Sequence, residues 1–509
     1  MLFNSYIFVM AFLPICVIGW FALNRLKKPV YASVFMLVMS LWFYGYFNIK
    51  YLPILVASVL VNYGIYRLMM RRRARAAAGE EPGENTGEEA DENTGEKAKT
   101  TDRGLRLLLA LALLFNLGLL FYFKYYDFFF ENVNAVFGTG FTLHHVVLPL
   151  GISFFTFQQL SFVIDTYRGD TPEYPFLDYA LFITFFPQLI AGPIVTHDEV
   201  VPQFGDREKR RFNWDNFAPG LYLFILGLGK KVLIADVFGG AVTYGFENIE
   251  ILSSFSALVT ILSYSFQIYF DFSGYCDMAM GAAKMLNIDL PLNFNMPYKS
   301  LTIIDFWKRW HITLTRFLTR YVYFPLGGSR KGKARTYINI FIVYLVSGLW
   351  HGANWTFVIW GVLHGLFVML TRARRQFFEK LHPALGWMIT FFFISVTRVF
   401  FRADNLADAW LMLKTAFGLG GPGIITGLNP SIIYCFERTE IWFLTRQIFG
   451  MDITDMYPYI YFILYLLVAL FCSVGGRNAR QTLEAFRPNV LRMLFAAVAR
   501  EPSRIPGAI

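Results

Sequence analysis

Two of the seven histidines stand where an imidazole has a reason to act. His351 closes an apolar run in Ser347-Gly348-Leu349-Trp350-His351-Gly352-Ala353-Asn354-Trp355, near the end of a candidate membrane span. A charged group at membrane depth is costly, so ionisable residues there mostly face a bundle interior or a water-filled cavity. The competing reading is a neutral histidine satisfied by a backbone carbonyl. Gly348 and Gly352 permit close approach of backbone or ligand, and Asn354 is near enough in sequence to share a site with Trp350 and His351.

His311 lies in Asp305-Phe306-Trp307-Lys308-Arg309-Trp310-His311-Ile312-Thr313-Leu314, within a stretch from Ile303 to Tyr323 that mixes aromatics with Lys308, Arg309, Arg316 and Arg320. That stretch is too charged to span lipid and reads as an interfacial or cavity-lining amphipathic helix on the cytoplasmic side. Composition balances His311 between a solvated interfacial role and a functional one. His144, His145, His197, His364 and His382 fall in loops or near span ends and read as structural, with His364 close enough in sequence to support His351 from behind.

A neutral imidazole keeps a basic nitrogen at pH 7, which is what deprotonating a sugar or lipid hydroxyl during attack on an activated ester requires. His351 fits that role. No Gly-x-Ser-x-Gly elbow occurs, so a serine acyl-enzyme of the hydrolase type is unsupported. Direct transfer is simpler, and an acyl-enzyme stays open. A metal site built from His311, His351 and Asp271 or Asp277 lacks both an i, i+4 histidine pair and a Glu-x-x-His signature, so no metal is expected. The run Gly327-Gly328-Ser329-Arg330-Lys331-Gly332-Lys333-Ala334 has the glycine and lysine spacing of a phosphate-binding loop, but Ala334 replaces the required hydroxyl and no buried strand precedes it. Arg330, Lys331 and Lys333 therefore read as topological anchors or as a basic loop able to attract the phosphates of coenzyme A.

The elements that must position these groups belong to lipid. The 509 residues are 56% hydrophobic, 18% aromatic and only 16% charged, and apolar stretches of membrane-crossing length recur throughout. Leu2 to Leu23 lacks a basic n-region and a small-residue cleavage site and reads as a retained first span. Spans are expected near 5–23, 30–48, 50–67, 105–124, 146–164, 217–237, 253–272, 335–352, 354–371, 384–401 and 458–475, about eleven crossings in an all-α polytopic protein. The net charge of +10 sits in short loops, as the positive-inside rule requires, and does not call for nucleic acid. Holding those basic clusters in the cytoplasm places the N-terminus outside and the tail with Arg477, Arg480, Arg487 and Arg492 inside.

That topology needs 176–195 not to cross fully. Pro187, Gly192 and Pro193 interrupt helical hydrogen bonding there, so a re-entrant or broken segment is expected. The chain then divides into N-terminal spans (1–75), a disordered cytoplasmic linker (76–104) rich in Gly and Glu, a core (105–402), an outer loop region (403–457), and a last span with a basic tail (458–509). Cys16, Cys276, Cys435 and Cys472 show neither disulfide nor zinc spacing.

Five ordered segments carry a resemblance: Tyr269-Phe270-Asp271-Phe272-Ser273-Gly274-Tyr275-Cys276-Asp277-Met278-Ala279, Leu292-Asn293-Phe294-Asn295-Met296-Pro297-Tyr298, Asp305 to Ile312, Tyr323 to Gly328, and Gly348-Leu349-Trp350-His351-Gly352. Together with Pro149 to Gln158 and Pro187 to Pro193, they resemble the membrane-bound O-acyltransferase family, in particular its bacterial alginate and peptidoglycan O-acetyltransferases. The resemblance implies a ring of tilted helices, some re-entrant or interfacial, around a central pore, with His351 catalytic and His311 a second functional histidine. It further implies an acetyl donor, most simply acetyl-coenzyme A, arriving from the cytoplasm. The acceptor side would be an extracytoplasmic polysaccharide or a secreted SGNH-type partner transferase, in a bacterial inner membrane. Trp350, Asn354, Asp305, Trp310, Lys308 and Arg309, which flank the two histidines, are the expected substrate-binding residues. Cys276 stands where relatives often have serine. Two rival classes remain: a lipid-linked glycan flippase, against which no internal repeat is visible, and a non-catalytic scaffold of an envelope polysaccharide complex, in which both histidines would tolerate alanine.

Overall fold

Long apolar runs without alternating polar residues favour helices, which satisfy their own backbone in lipid. The computed structural model describes residues 1–26, 28, 30–77, 102–419, 430–436 and 457–486, and every regular element among them is helical. Most of the expected linker, parts of the 403–457 region, and the tail with Arg487 and Arg492 lie outside the described residues. The chain forms two compact units, one of Met1 with Pro14–Arg211 and one of Leu2–Leu13 with Phe212–Ile509.

The first unit contains α1 (Val30–Gly45), α2 (Leu52–Ala77), α3 (Arg103–Leu120), α4 (Tyr126–Phe137), α5 (Ile152–Arg168) and α6 (Phe176–Thr184). Asp102 caps α3 by accepting from the Gly104 amide at 2.8 Å. Buried amides tie the helices where apolar contact alone gives no specificity in lipid. Asn116 of α3 donates to Asn62 of α2 at 2.6 Å, and Gln159 of α5 donates to Ser58 of α2 at 2.8 Å while accepting from Tyr179 of α6 at 2.9 Å. The span expected at 146–164 becomes helical only at Ile152, after Pro149 and a left-handed Gly151 with φ 72°. The segment 176–195 is broken at Phe185, where ψ is 112°, and resumes for Phe186–Leu189 with Pro187 in its first turn.

In the second unit, α7 (Trp214–Gly229) runs through a π-helical turn, Lys230–Ala235, into Asp236–Glu247 and packs on the long α8 (Ser254–Met285). Gly227 and Gly274 face each other so closely that a Cβ on Gly227 would meet the Gly274 carbonyl oxygen at 2.6 Å. Small residues thus let the two backbones touch, as interhelical packing in lipid favours. The π turn carries two lysines, and α8 answers with carboxylates: Lys230 pairs with Asp277 at 2.5 Å and Lys231 with Asp271 at 2.7 Å. After α8 come the short α9 (Ile303–Arg309) and α10 (Ile312–Leu318), then α11 (Lys333–His351), α12 (Trp355–Ala373) and α13 (Pro383–Arg402).

Among the described residues, Ile49–Ala76, Arg103–Phe137, Trp355–Ala373 and Pro383–Arg402 are long and apolar enough to cross a membrane. Tyr461–Val474 with Ala479–Ala485, bent by 78°, adds a fifth if the pair is one span. Other expected crossings coincide with helices that are shorter, such as α1, or more polar, such as α8 with Asp271, Asp277 and Lys284.

Candidate active site

Thr302 starts α9 by accepting from the Asp305 amide at 3.2 Å, and α9 stops at Trp310, whose backbone is extended. His311 then takes a left-handed conformation, φ 47° and ψ 52°, before α10 begins. A non-glycine residue there costs on the order of 1 to 3 kcal/mol, so its surroundings must hold it. They do: the Asn295 amide donates to the Arg309 carbonyl at 2.9 Å and the Ile312 amide to the Asn293 carbonyl at 3.0 Å, pinning the chain on both sides of the turn.

The His311 side chain is 1% exposed, and its Nδ1 lies 3.1 Å from Oδ1 of Asn293, itself fully buried. Nε2 of His311 is buried and has no hydrogen-bond partner among the described residues. Burial disfavours the imidazolium and pushes this histidine down to about 3, leaving the ring neutral at ordinary pH.

His351 is the last residue of α11 and is half-buried. Aromatic rings surround it, with centroids at 4.9 Å for Trp350, 5.0 Å for Phe401 and 5.2 Å for Trp360. Its ring lies 6.5 Å from that of His311, and Trp350 lies 5.9 Å from His311. The two histidines sit on different elements, His311 between α9 and α10 and His351 at the end of α11. The structure brings both into one site, because α11 ends beside the turn at which α9 gives way to α10.

The α11–α12 hairpin is drawn tight at Gly361, where a Cβ would meet the Tyr344 carbonyl oxygen at 2.6 Å. Asn354 caps α12: its Oδ1 accepts from the Thr356 amide at 3.0 Å and its Nδ2 donates to the Asp404 carbonyl at 2.8 Å. This expected substrate ligand therefore has a capping role in the geometry. Trp310 is also buried in the core, stacked 5.5 Å from Phe306 and covered at 4.5 Å by the Arg398 guanidinium. Asp305 and Arg309 pair with each other at 3.0 Å along α9. Asp277 and Asp271 are held in ion pairs by Lys230 and Lys231.

Two cavities open along α9. One, about 720 Å³, is polar and lined by Asp305, Lys308, Lys333, Arg372, Arg375 and Glu379 among others. The second, about 260 Å³, is mostly apolar, shares Ile304 and Arg372 with the first, and extends along Leu314 and Tyr344 to Trp307 and Ser347, one turn before His351. Lys333 of the basic loop lines the polar cavity, while Arg330 and Lys331 are exposed and not part of its wall.

A sequence model of the membrane-bound O-acyltransferase family matches residues 172–402. The chain is 43% identical over 451 residues to the peptidoglycan O-acetyltransferase of Helicobacter pylori, covering 83% of this chain and 80% of that protein. This chain belongs to the membrane-bound O-acyltransferase family. It is 36% identical over 472 residues to the probable alginate O-acetylase AlgI of Pseudomonas aeruginosa, covering 90% of this chain and 84% of that one. A teichoic acid D-alanyltransferase of Bacillus subtilis is 29% identical over 257 residues, 48% of this chain and 63% of the relative. The protein is a multi-pass membrane O-acyltransferase.

Within this membrane-bound O-acyltransferase, four residues of the cavity walls and the core behind the histidines escaped the sequence reading as site components. Arg372 and Arg375, in a basic cluster at a span end that the positive-inside rule already explains, line the polar cavity. Arg398, 4% exposed, donates to the Ser265 carbonyl at 3.0 Å, bonds the Tyr298 hydroxyl and covers Trp310. Asn293 stood in a quoted motif without a role, since nothing in a linear sequence pairs it with His311.

Proposed function

We propose that this enzyme transfers an acetyl group from cytoplasmic acetyl-coenzyme A to hydroxyls of an extracytoplasmic polysaccharide, directly or through a secreted SGNH-type partner transferase, in a bacterial inner membrane. The observation that carries the reading is the convergence of His311 and His351 on one site, 6.5 Å between ring centres. Two imidazoles this close can address one reacting centre, one of them taking the hydroxyl proton as the acyl bond changes partner.

The cavities support a thioester donor of the coenzyme A type. Lys308, Lys333, Arg372 and Arg375 supply positive charge for phosphates, and the adjoining apolar cavity suits a flexible arm running toward Trp307 and Ser347. The relatives' names support acetyl as the group moved and a polysaccharide as the acceptor class. Basic clusters in the expected inner loops support an outside N-terminus and a cytoplasmic tail.

The test is purified protein with acetyl-coenzyme A labelled in the acetyl group and a polysaccharide acceptor. Free thiol and labelled polymer should appear together. Donor that stays intact, with acceptor moved across vesicles unaltered, would replace transfer by transport.

A further inference from the structure

We propose that Asn293 is a positioning residue: it fixes His311 in the tautomer with its proton on Nδ1 and leaves Nε2 as the lone pair that accepts the hydroxyl proton. The proposal rests on the acyl-transfer reading above and assigns the proton's destination within it.

The assignment follows from a donor whose identity is fixed. The backbone amide of Thr313 points at the side-chain end of Asn293 at 3.3 Å, and a backbone N–H only donates, so the atom it meets is the amide oxygen, Oδ1. The Thr313 hydroxyl reaches the same oxygen at 3.0 Å, and the opposite end, Nδ2, donates to Cys276 Sγ at 3.3 Å. An oxygen acceptor 3.1 Å from His311 Nδ1 requires the ring proton on Nδ1. Nε2 then carries no proton, and it is the nitrogen left buried without a partner among the described residues. A buried nitrogen with an unused lone pair is costly unless a reactant or its proton meets it.

His364 shows the contrast within the same core. The Trp307 indole N–H donates to its Nδ1 at 3.3 Å, so its proton sits on Nε2, which meets the Thr397 hydroxyl at 3.0 Å. Both nitrogens of His364 are engaged, and one nitrogen of His311 is not. The rings of Phe272 at 4.9 Å, Trp350 and His351 pack around His311.

In the step assigned, the hydroxyl oxygen bonds the acyl carbon and the carbon–sulfur bond breaks. The hydroxyl proton passes to Nε2 and from there to the departing thiolate, so His311 ends the cycle neutral. The sequence reading put the base at His351. The tautomer moves it to His311 and leaves His351 to face it across the reacting atoms. The titratable and charged groups around His311 are His351 from α11, Cys276 and the Lys230–Asp277 pair from α8 and the π turn, and Arg398 of α13 behind Trp310.

The experiment compares N293A, N293D, H311A and H351A as purified proteins, reading kcat, donor KM and the pH dependence of thiol release. N293A should lose about a hundredfold in kcat with donor KM changed little, the size of a general-base contribution. In N293D a carboxylate still accepts the Nδ1 proton and also stabilises the imidazolium, so activity should be regained relative to N293A and the acid limb of the profile should move up. Wild-type kcat and pH profile in both Asn293 variants, with H311A and H351A inactive, would overturn the proposal and leave the acyl-transfer site standing. Active H311A and H351A would remove the site itself. Should the variants fail to fold, 15N-histidine NMR of the wild type, with the His311 signal assigned by its loss in H311Q, decides alone: a proton on Nδ1 supports the proposal and one on Nε2 refutes it.

Discussion

The indole N–H of Trp307 donates to Nδ1 of His364 at 3.3 Å, and the opposite imidazole nitrogen meets Thr397 at 3.0 Å, so one side-chain chain links α9, α12 and α13. Trp307 also packs against Trp360 at 5.8 Å and Tyr344 at 5.3 Å, the aromatic wall behind His351. Trp307→Phe keeps most of the ring and deletes the donor. Leaving His364 Nδ1 unsatisfied should cost about 1 to 3 kcal/mol. The expected result is a lower melting temperature in detergent. Unaltered melting of W307F would show that the link contributes nothing to the core.

His311 and His351 act on the same reacting atoms if the proposed transfer is right, so their losses should not add. Each alanine variant should reduce thiol release by about a thousandfold, and the double variant should be scarcely worse than either. Multiplicative losses in the double variant, measured with the same donor, would place the two histidines in independent steps.

Much of this was legible in the sequence, and the limits are physical. His351 announced itself because an ionisable group inside an apolar run needs a reason, and the break at Phe185 because Pro187 and Gly192 cannot extend a helix. Asn293 did not, because its partner is reached only when the loop after α8 folds back along the turn at His311. Arg372 and Arg375 were hidden by the positive-inside rule, which explains any basic cluster at a span end without asking what cavity it lines. That His311 and His351 meet was not legible, since hydropathy says nothing about helices that end beside a turn.

The basic wall of the polar cavity should govern donor affinity and leave the chemical step untouched. K308Q with R375Q is expected to raise donor KM about tenfold at low salt, with kcat held within about twofold, and the difference should shrink as ionic strength screens the charges. R330Q with K331Q, whose side chains lie outside the wall, should change KM by less than about twofold. Equal effects from both pairs would mean that general surface charge draws the donor in.

Acid should destabilise this protein partly through His311. Its segment lies between α8 and α11 and its imidazole is held down to about 3, against about 6.5 for an unfolded histidine. Between those values the unfolded chain binds a proton that the folded one refuses, so stability rises with pH and is lost as pH falls below about 6.5. From pH 7 to pH 5 that loss is on the order of 2 kcal/mol. In H311Q the group is gone, and the amide does not titrate. The drop in melting temperature between pH 7 and pH 5 should therefore be smaller in H311Q than in wild type, read by thermal unfolding in the same detergent. An identical drop would mean that His311 takes up a proton in the folded protein as readily as in the unfolded one, and that its burial does not keep it neutral.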